Sequence, residues 1–260
     1  YSIVEGDSAA LNLSGRSLSF KEAPDYEDQT SYEFVAEVSD GPNNVRKNLS
    51  VNIINVNDNA PEFTSPSAFV IPENQSAIGE VKANDADGDS VSFKVLGTNE
   101  KIQITSSGVL SFIGASDYEE QVSYTANIEA SDGEQTAIQE VTVELTNIND
   151  VAPNFVSDSA FSAPENQTEI GIVEAEDADG DTVTFTISGT DLSITESGVL
   201  SFNQEPDYET KDLYEATVTA NDGLNITNQI ISVSVTDVNE RPIFTSDEDF
   251  EAAENQTAIG

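Results

Sequence analysis

The chain of 260 residues contains 49 acidic and nine basic residues, no histidine and no cysteine, and its formal net charge is -40. Because binding to a phosphate backbone requires lysine and arginine, this balance excludes nucleic acid as a partner and makes cations the expected counterions. Without cysteine and histidine the usual ligands of zinc, copper and haem are missing, and calcium, magnesium and manganese remain as candidate metals.

The acidic residues return at fixed intervals in the same short motifs. Asp-Tyr-Glu occurs at 25–27, 117–119 and 207–209, Glu-Asn-Gln at 73–75, 165–167 and 254–256, and Asp-Ala-Asp-Gly-Asp at 85–89 and 177–181. Self-similarity at a fixed period indicates one structural unit that is built several times. Each unit closes on a run of small polar residues followed by Pro61, Pro153 or Pro242, which is typical of a strand end and a linker.

These prolines divide the chain into four segments. The first repeat (residues 1–61) is partial and lacks the first strands, the second (62–153) and third (154–242) repeats are complete, and residues 243–260 are expected to form the opening strand of a further repeat. We therefore expect the chain to be a window from a longer array. No apolar run is long enough to span a bilayer, so any membrane anchor is expected outside this window.

Within each complete repeat, apolar and polar residues alternate with a period of two, which predicts strands with one buried face. In the second repeat the predicted strands lie near 68–73, 79–84, 90–96, 101–105, 108–113, 122–131 and 136–147. No segment has the pattern of a helix. Seven short strands with turn signals between them predict an all-β fold of two packed sheets, repeated in tandem.

The motif acids follow the ends of core-facing strands. Seven carboxylates gathered in one place are costly unless cations neutralise them, and about three divalent cations would nearly do so. Hard cations such as calcium prefer carboxylate, amide and carbonyl oxygens, which this chain supplies.

Together these motifs resemble the calcium motifs of cadherin repeats. The resemblance rests on Pro72-Glu73-Asn74, Asp117-Tyr118-Glu119, Asn147-Ile148-Asn149-Asp150, Asp177-Ala178-Asp179 and Ala220-Asn221-Asp222-Gly223, in the order and at the spacing of that family. It implies seven-stranded Greek-key, Ig-like sandwiches arranged end to end, with about three Ca²⁺ at each complete junction, bound by ligands from two neighbouring repeats.

The resemblance also implies which residues bind the metal. At the first junction these are Asp25, Glu27, Asn57, Asp58, Asp85, Asp87 and Asp132, with the carbonyls of Val56 and Asn59. At the second they are Glu73, Asp117, Glu119, Asn149, Asp150, Asp177, Asp179 and Asp222, with the carbonyls of Ile148 and Val151. At the third, the upper half would use Glu165, Asp207, Glu209, Asn239 and Glu240.

Two departures from the family pattern stand out. Glu240 occupies the place of the linker aspartate and is followed by Arg241, which puts full occupancy of the third junction in doubt. The chain contains no tryptophan, so strand exchange anchored by that residue has no support.

The implied function is a calcium-stiffened, extracellular stalk or adhesion module at a cell surface, with other copies of itself or surface ligands as candidate partners. The composition suggests a bacterial source. Two other classes stay open: a purely structural surface filament, and an enzyme that uses paired carboxylates. Catalysis is disfavoured because the same acid pairs recur in every repeat. An EF-hand is also disfavoured, because Asp85 is followed by Gly88 at the fourth position rather than the sixth.

Overall fold

The computed structural model describes residues 1–98, 100–245, 251–252, 254–255 and 257, and the described chain contains strands and turns but no helix. Accordingly, none of its described segments is a helix long and apolar enough to cross a membrane. The chain divides into two compact units, Tyr1–Ile148 and Asn149–Gly260. The strand expected in residues 243–260 falls mostly outside the described residues.

The strands follow the repeats. The first repeat contains β1 (Ser2–Gly6), β2 (Leu11–Ser14), β3 (Ser17–Phe20), β4 (Ser31–Ser39) and β5 (Asn44–Asn52). The second contains β6 (Glu62–Phe63), β7 (Ala68–Pro72), β8 (Ala77–Glu80), β9 (Ala83–Asn84), β10 (Ser92–Val95), β11 (Ile102–Ile104), β12 (Val109–Phe112), β13 (Ser123–Ser131) and β14 (Thr136–Thr146). The third contains β15 (Asn154–Phe155), β16 (Ala160–Pro164), β17 (Glu169–Ile172), β18 (Ala175–Glu176), β19 (Thr184–Ile187), β20 (Leu192–Ile194), β21 (Val199–Phe202), β22 (Leu213–Asn221) and β23 (Ile226–Thr236).

Each complete repeat is a sandwich of a four-stranded and a three-stranded sheet. In the second repeat the orders are β10-β13-β14-β7 and β11-β12-β8, and the third repeats them as β16-β23-β22-β19 and β17-β21-β20. The opening strand of each repeat pairs in parallel with its last strand, β7 with β14 and β16 with β23. The all-β, Ig-like fold expected from the sequence is therefore confirmed.

The alternation along the two longest strands builds the core. Tyr124, Ala126, Ile128 and Ala130 on β13 are buried, as are Val141, Val143 and Leu145 on β14. Their outward neighbours face solvent because successive side chains of a strand point to opposite sides of the sheet. Fully burying a side chain such as Ile128 contributes about 1.5–3 kcal/mol, so these strands form the stable scaffold on which the acidic turns are mounted.

One predicted strand is divided in the structure. The segment expected as a single strand at 79–84 forms β8 and β9, which pair with different partners, β12 and β6. Between them the Val81 N–H donates to the carbonyl of Gly108 at 2.8 Å, which holds the chain where it leaves one sheet for the other. Prediction of a single strand was wrong here because alternation reports which side is buried and carries no information about the pairing partner.

Gly108 is required at this crossing. Its φ is +95°, and a Cβ atom there would lie 2.2 Å from the carbonyl oxygen of Val81. Gly198 stands in the same relation to Val173 in the third repeat, with the corresponding distance at 2.1 Å. The crossing is thus built the same way in both complete repeats.

We predict that Gly108→Ala destabilises its unit by about 2 kcal/mol more than Gly97→Ala does, because overpacking adds to the strain of a positive φ. Gly97 is the matched control, since its φ is +75° but nothing lies within 4 Å of its Cβ position. The free energy of unfolding from urea titration measures the difference. Equal losses in the two variants would contradict the steric account.

Candidate metal centre

An acidic cluster forms inside the first unit, where the first repeat meets the second. Glu27 lies in the turn after β3, Asp58 in the linker after β5, and Asp87 in the turn after β9. One carboxylate oxygen of each lies within 4.8 Å of the others. Residues that are 31 and 29 positions apart in the sequence therefore bring their carboxylates together.

Asp87 connects the second repeat to the linker of the first. Its Oδ2 accepts backbone N–H groups from Asp58 at 3.1 Å and Asn59 at 2.8 Å, while its carbonyl accepts the Asn55 side-chain amide at 2.7 Å. Burial alone would raise the pKa of Asp87, but the hydrogen bonds from Asn59 and Asp58 outweigh it and lower that pKa. Asp87 is thereby held as a carboxylate.

The pKa of Glu27 shifts in the opposite direction from that of Asp87. Burial raises the pKa of Glu27 above its ordinary value, and its side-chain contact with Asp87 and the negative charge of Asp87 add to the rise. Besides burial, the rise comes from the proximity of two acids. A cation placed between them would remove that contribution.

The neighbouring aspartates present one oxygen to the backbone and leave the other oxygen buried. Asp85 Oδ1 accepts the N–H groups of Asp87 and Asp89, and Asp132 Oδ1 accepts those of Glu134 and Gln135. Such aspartate turns fix the side-chain rotamer. The hydrogen bonds from Gln135 and Glu134 outweigh burial and lower the pKa of Asp132.

The second oxygens of these aspartates have no donor. Asp85 Oδ2, Asp132 Oδ2 and the side-chain oxygen of Asn57 are buried, and within the described part of the chain no hydrogen-bond donor reaches them. A buried oxygen without a partner costs about 1–3 kcal/mol. Oxygens of this kind, which have lost water and gained no N–H group, suit a hard cation.

The second unit repeats this arrangement with its own residues. Asp179 Oδ2 accepts N–H groups from Asp150 at 3.0 Å and Val151 at 2.8 Å, matching Asp87 with Asp58 and Asn59. Asp177 Oδ1 accepts the Asp181 N–H at 3.1 Å, and Asp177 Oδ2 is buried without a donor among the described residues.

Asp222 of the third repeat is arranged like Asp132 of the second repeat. Its Oδ1 accepts N–H groups from Leu224 at 2.7 Å and Asn225 at 2.6 Å, and its Oδ2 is buried with no donor in the described chain. Burial would raise the pKa of Asp222, but hydrogen bonds from Asn225 and Leu224 outweigh it and lower that pKa. The Asn225 side chain also donates to Asn149 Oδ1 at 2.7 Å, which orients that linker amide.

Two glutamates play a different part. Glu73 is 1% exposed, and its two oxygens accept the backbone N–H of Tyr118 at 2.7 Å and of Ile148 at 2.8 Å. Glu165 does the same for Tyr208 at 2.9 Å and Val238 at 2.8 Å. Each carboxylate ties the end of the opening strand to the Asp-Tyr-Glu turn and to the linker. The motif glutamate is therefore a structural clamp as well as a predicted ligand.

The upper half of the third junction also forms a cluster. Carboxylate oxygens of Glu165, Asp207 and Glu209 lie within 4.8 Å of one another. The Glu240 side chain accepts the Asn166 amide at 2.8 Å. A backbone hydrogen bond would lower the pKa of Glu209, but burial and the charges of Glu165, Asp237 and Glu240 outweigh it and raise that pKa.

Among the described residues, no ion pair joins a basic side chain to Glu27, Asp58 or Asp87. The ion pairs that are present join Arg46, Lys82, Lys94, Lys101 and Lys211 to other acids, none of which was predicted as a ligand. The donor set consists of carboxylate and amide oxygens, with no nitrogen or sulfur ligand. The residues present therefore fit calcium or magnesium and do not fit a softer metal.

The remaining predicted ligands occupy the expected turns and linkers. Asp25 Oδ1 accepts the Glu27 and Asp28 N–H groups, and Asp117 Oδ1 accepts that of Glu120. Of the four residues whose carbonyl alone was predicted to bind, Val56, Ile148 and Val151 carry exposed side chains. The fourth, Asn59, is half-buried and donates its N–H to Asp87. Glu119 lies in the Asp-Tyr-Glu turn of the second repeat, Asn59 lies in the linker after β5, and Asn239 lies in the linker after β23.

Sequence reasoning missed several asparagines. Asn55 and Asn225 hold the site together through their side-chain amides, and Asn74 and Asn166 adopt φ values of +61° and +63°. Asparagine tolerates this left-handed conformation better than most residues. The signal was available for Asn74 and Asn166, because both repeat within the Glu-Asn-Gln motif.

Comparison with known proteins agrees with this architecture. A family model described as a bacterial Ig domain matches residues 57–144. Human protocadherin Fat 4 is 28% identical over 100% of this chain and 6% of its own length, and chimpanzee (Pan troglodytes) protocadherin gamma-A2 is 30% identical over 88% of this chain and 28% of its own. The chain thus spans less than a third of either relative.

A solved structure of protocadherin gamma B2 extracellular cadherin domains 3-6 superposes with a TM-score of 0.75 at 25% identity, covering 95% of this chain and 68% of that one. The sandwiches with acidic turns and linkers therefore define a class of tandem Ig-like β domains. Within that class, the chain is built of cadherin-like repeats.

We predict that Glu73→Gln lowers the free energy of unfolding in EGTA by about 1–3 kcal/mol, because glutamine offers one acceptor where two backbone N–H groups need partners. Exposed Glu140 on β14 gives the matched control Glu140→Gln. Denaturant titration without metal measures the loss, so a metal-ligand role does not contribute. A stability equal to that of the control would show that the clamp is unimportant.

Proposed function

We propose that this chain is a calcium-binding, extracellular cadherin-like repeat array that Ca²⁺ stiffens at the junctions between repeats. It acts as a cell-surface stalk or adhesion module. The observation that carries the proposal is the first cluster, in which Glu27, Asp58 and Asp87 converge within 4.8 Å without a basic residue among them.

The ligands of the first junction come from both sides of it. The first repeat and its linker contribute Asp25, Glu27, Asn57 and Asp58, with carbonyls of Val56 and Asn59, and the second repeat contributes Asp85, Asp87 and Asp132. The equivalent residues of the later repeats are proposed for the same role: Glu73, Asp117, Glu119, Ile148, Asn149, Asp150, Val151, Asp177, Asp179 and Asp222, then Glu165, Asp207, Glu209, Asn239 and Glu240.

Bound calcium supplies positive charge and accepts six to eight oxygen ligands, which suits about three ions at each complete junction. The chain supplies the organisation. Backbone N–H groups fix one oxygen of Asp85 and of Asp132, so the other oxygen of each is oriented before metal binds. Since the ligands belong to two repeats, binding favours the aligned junction over the bent one and shifts the population towards a stiff rod.

A stiff rod can serve as a stalk or present an adhesive surface. The names of the relatives are those of cadherins, which favours adhesion, with other copies or surface ligands as partners. A purely structural filament remains the second candidate, supported by the repetition of one site in every repeat. Repetition also argues against an enzyme, because the acid clusters differ little from one repeat to the next.

We predict that chelation of calcium broadens the distribution of end-to-end distances in small-angle scattering. It should also expose the linker near Asp58 to protease, because the clustered acids then repel one another without counterions. Re-addition of roughly millimolar Ca²⁺ should reverse both effects, since extracellular modules bind in about that range. Identical scattering profiles in EGTA and calcium would contradict stiffening.

We predict that Asp87→Asn weakens calcium binding about tenfold or more while leaving the second sandwich folded, because it removes one charge from the ligand set. Asp28→Asn is the matched control, as Asp28 is exposed and outside the cluster. Isothermal titration calorimetry reports affinity and ion number, and circular dichroism reports the fold. An unchanged affinity would remove Asp87 from the site.

A further inference from the structure

The β13–β14 loop of the second repeat and the β22–β23 loop of the third carry the same aspartate turn. In each loop the aspartate Oδ1 accepts the backbone N–H groups of the residues two and three positions on, at 2.6–2.7 Å. The residue three positions after the aspartate is Gln135 in the first loop and Asn225 in the second. Because the backbone turns match, the effect of this one side chain can be compared between the loops.

The linker asparagine beside each loop has a different environment. In the second unit the Asn225 side-chain amide donates to Asn149 Oδ1 at 2.7 Å. In the first unit the equivalent oxygen, Asn57 Oδ1, is buried, and no donor among the described residues reaches it. The longer side chain of Gln135 therefore leaves open an oxygen whose equivalent the shorter side chain of Asn225 occupies.

The carboxylates of the two loops do not share this difference. Asp132 Oδ2 and Asp222 Oδ2 are both buried without a donor in the described chain. The two loops thus offer a cation the same carboxylate oxygen and differ in the state of the neighbouring amide oxygen.

The asparagine side chains of the second unit are directed at the same aspartate. Burial raises the pKa of Asp222, the backbone N–H groups of Asn225 and Leu224 lower it, and the side chains of Asn225 and Asn149 lower it further. Asn149 and Asp222 are both proposed calcium ligands. The Asn225 amide therefore lies beside two such groups, and its N–H satisfies an oxygen that a hard cation would otherwise bind.

We propose that Asn225 competes with calcium for Asn149 and so raises the calcium concentration at which that site fills. The inference rests on the calcium-binding function proposed above. In the metal-free chain the Asn225 amide satisfies Asn149 Oδ1, and full use of that oxygen by calcium requires loss of the hydrogen bond. The free energy of the hydrogen bond therefore opposes metal binding. Asn57 Oδ1 has no such hydrogen bond to lose, so a cation relieves its unpartnered state instead.

A purely structural role for Asn225 would have a different consequence. If Asn225 only oriented Asn149 as a ligand, its replacement would weaken both the metal-free fold and calcium binding. If Asn225 competes with the metal, its replacement weakens the metal-free fold but strengthens calcium binding. The sign of the change in calcium affinity separates the two roles.

Calcium titration of the 260-residue chain, followed by NMR at the backbone amides of Gly133 and Gly223, tests the proposal. Each glycine directly follows the aspartate of one loop, so the two midpoints are read separately in one sample. Asn225→Gln should lower the midpoint at Gly223 about threefold to tenfold, the equivalent of one ordinary hydrogen bond, and leave that at Gly133 unchanged. The same variant should lower the urea midpoint of unfolding in EGTA, because the metal-free chain loses the contact with Asn149.

The reciprocal exchange in the first unit is Gln135→Asn. It places the shorter amide beside Asn57 and should raise the calcium midpoint at Gly133 about threefold to tenfold, with that at Gly223 unchanged. Asn228→Gln is the matched control for the change of side chain, because Asn228 is exposed on β23 and lies outside the loop. Circular dichroism checks that each variant is folded.

Two results would overturn the proposal while leaving the metal site in place. One is a midpoint at Gly223 that is unchanged or higher in Asn225→Gln, and the other is a midpoint at Gly133 that fails to rise in Gln135→Asn. In both cases calcium still shifts the two resonances, so the proposed metal binding stands. Calcium that shifts neither resonance overturns the metal proposal and this inference with it.

Discussion

The gathering of carboxylates at the ends of strands is the constraint on which the rest of the molecule depends, and among the described residues no basic side chain pairs with Glu27, Asp58 or Asp87. Asp85 and Asp132 each give one oxygen to backbone N–H groups and keep the other buried without a donor among the described residues. Folding therefore brings carboxylates into partly buried positions at an electrostatic cost. The chain stays folded despite this cost because the buried hydrophobic cores of the sandwiches stabilise it.

The acids divide into two groups with different tasks. Glu73 and Glu165 each accept backbone N–H groups on both carboxylate oxygens. They thereby hold the strand end, the turn and the linker of one repeat together. Asp87 accepts N–H groups from the linker that precedes its own repeat and so connects the second repeat to the first. Asp179 accepts the N–H groups of Asp150 and Val151 in the same way. The contacts that close a sandwich and the contacts that a repeat makes with its preceding linker therefore belong to separate side chains.

Net charge shapes the contacts that such a chain can make. Self-repulsion at -40 opposes association of copies except where an acidic surface meets a basic one. Four of the nine basic residues, Arg16, Lys21, Arg46 and Lys47, belong to the first repeat.

The sequence by itself determined the period of the repeats, the all-β class and the faces of the long strands, because alternation at Tyr124, Ala126 and Ile128 is a local property. Tertiary structure alone decided that residues 79–84 divide between two sheets and that Glu73 is a clamp. The donors that meet these groups lie far away along the chain: Asp87 binds an N–H 29 residues distant and Glu73 one 75 residues distant. Local pattern fixes which side of a strand is buried, but only the packed sheets bring such distant donors to a given carboxylate.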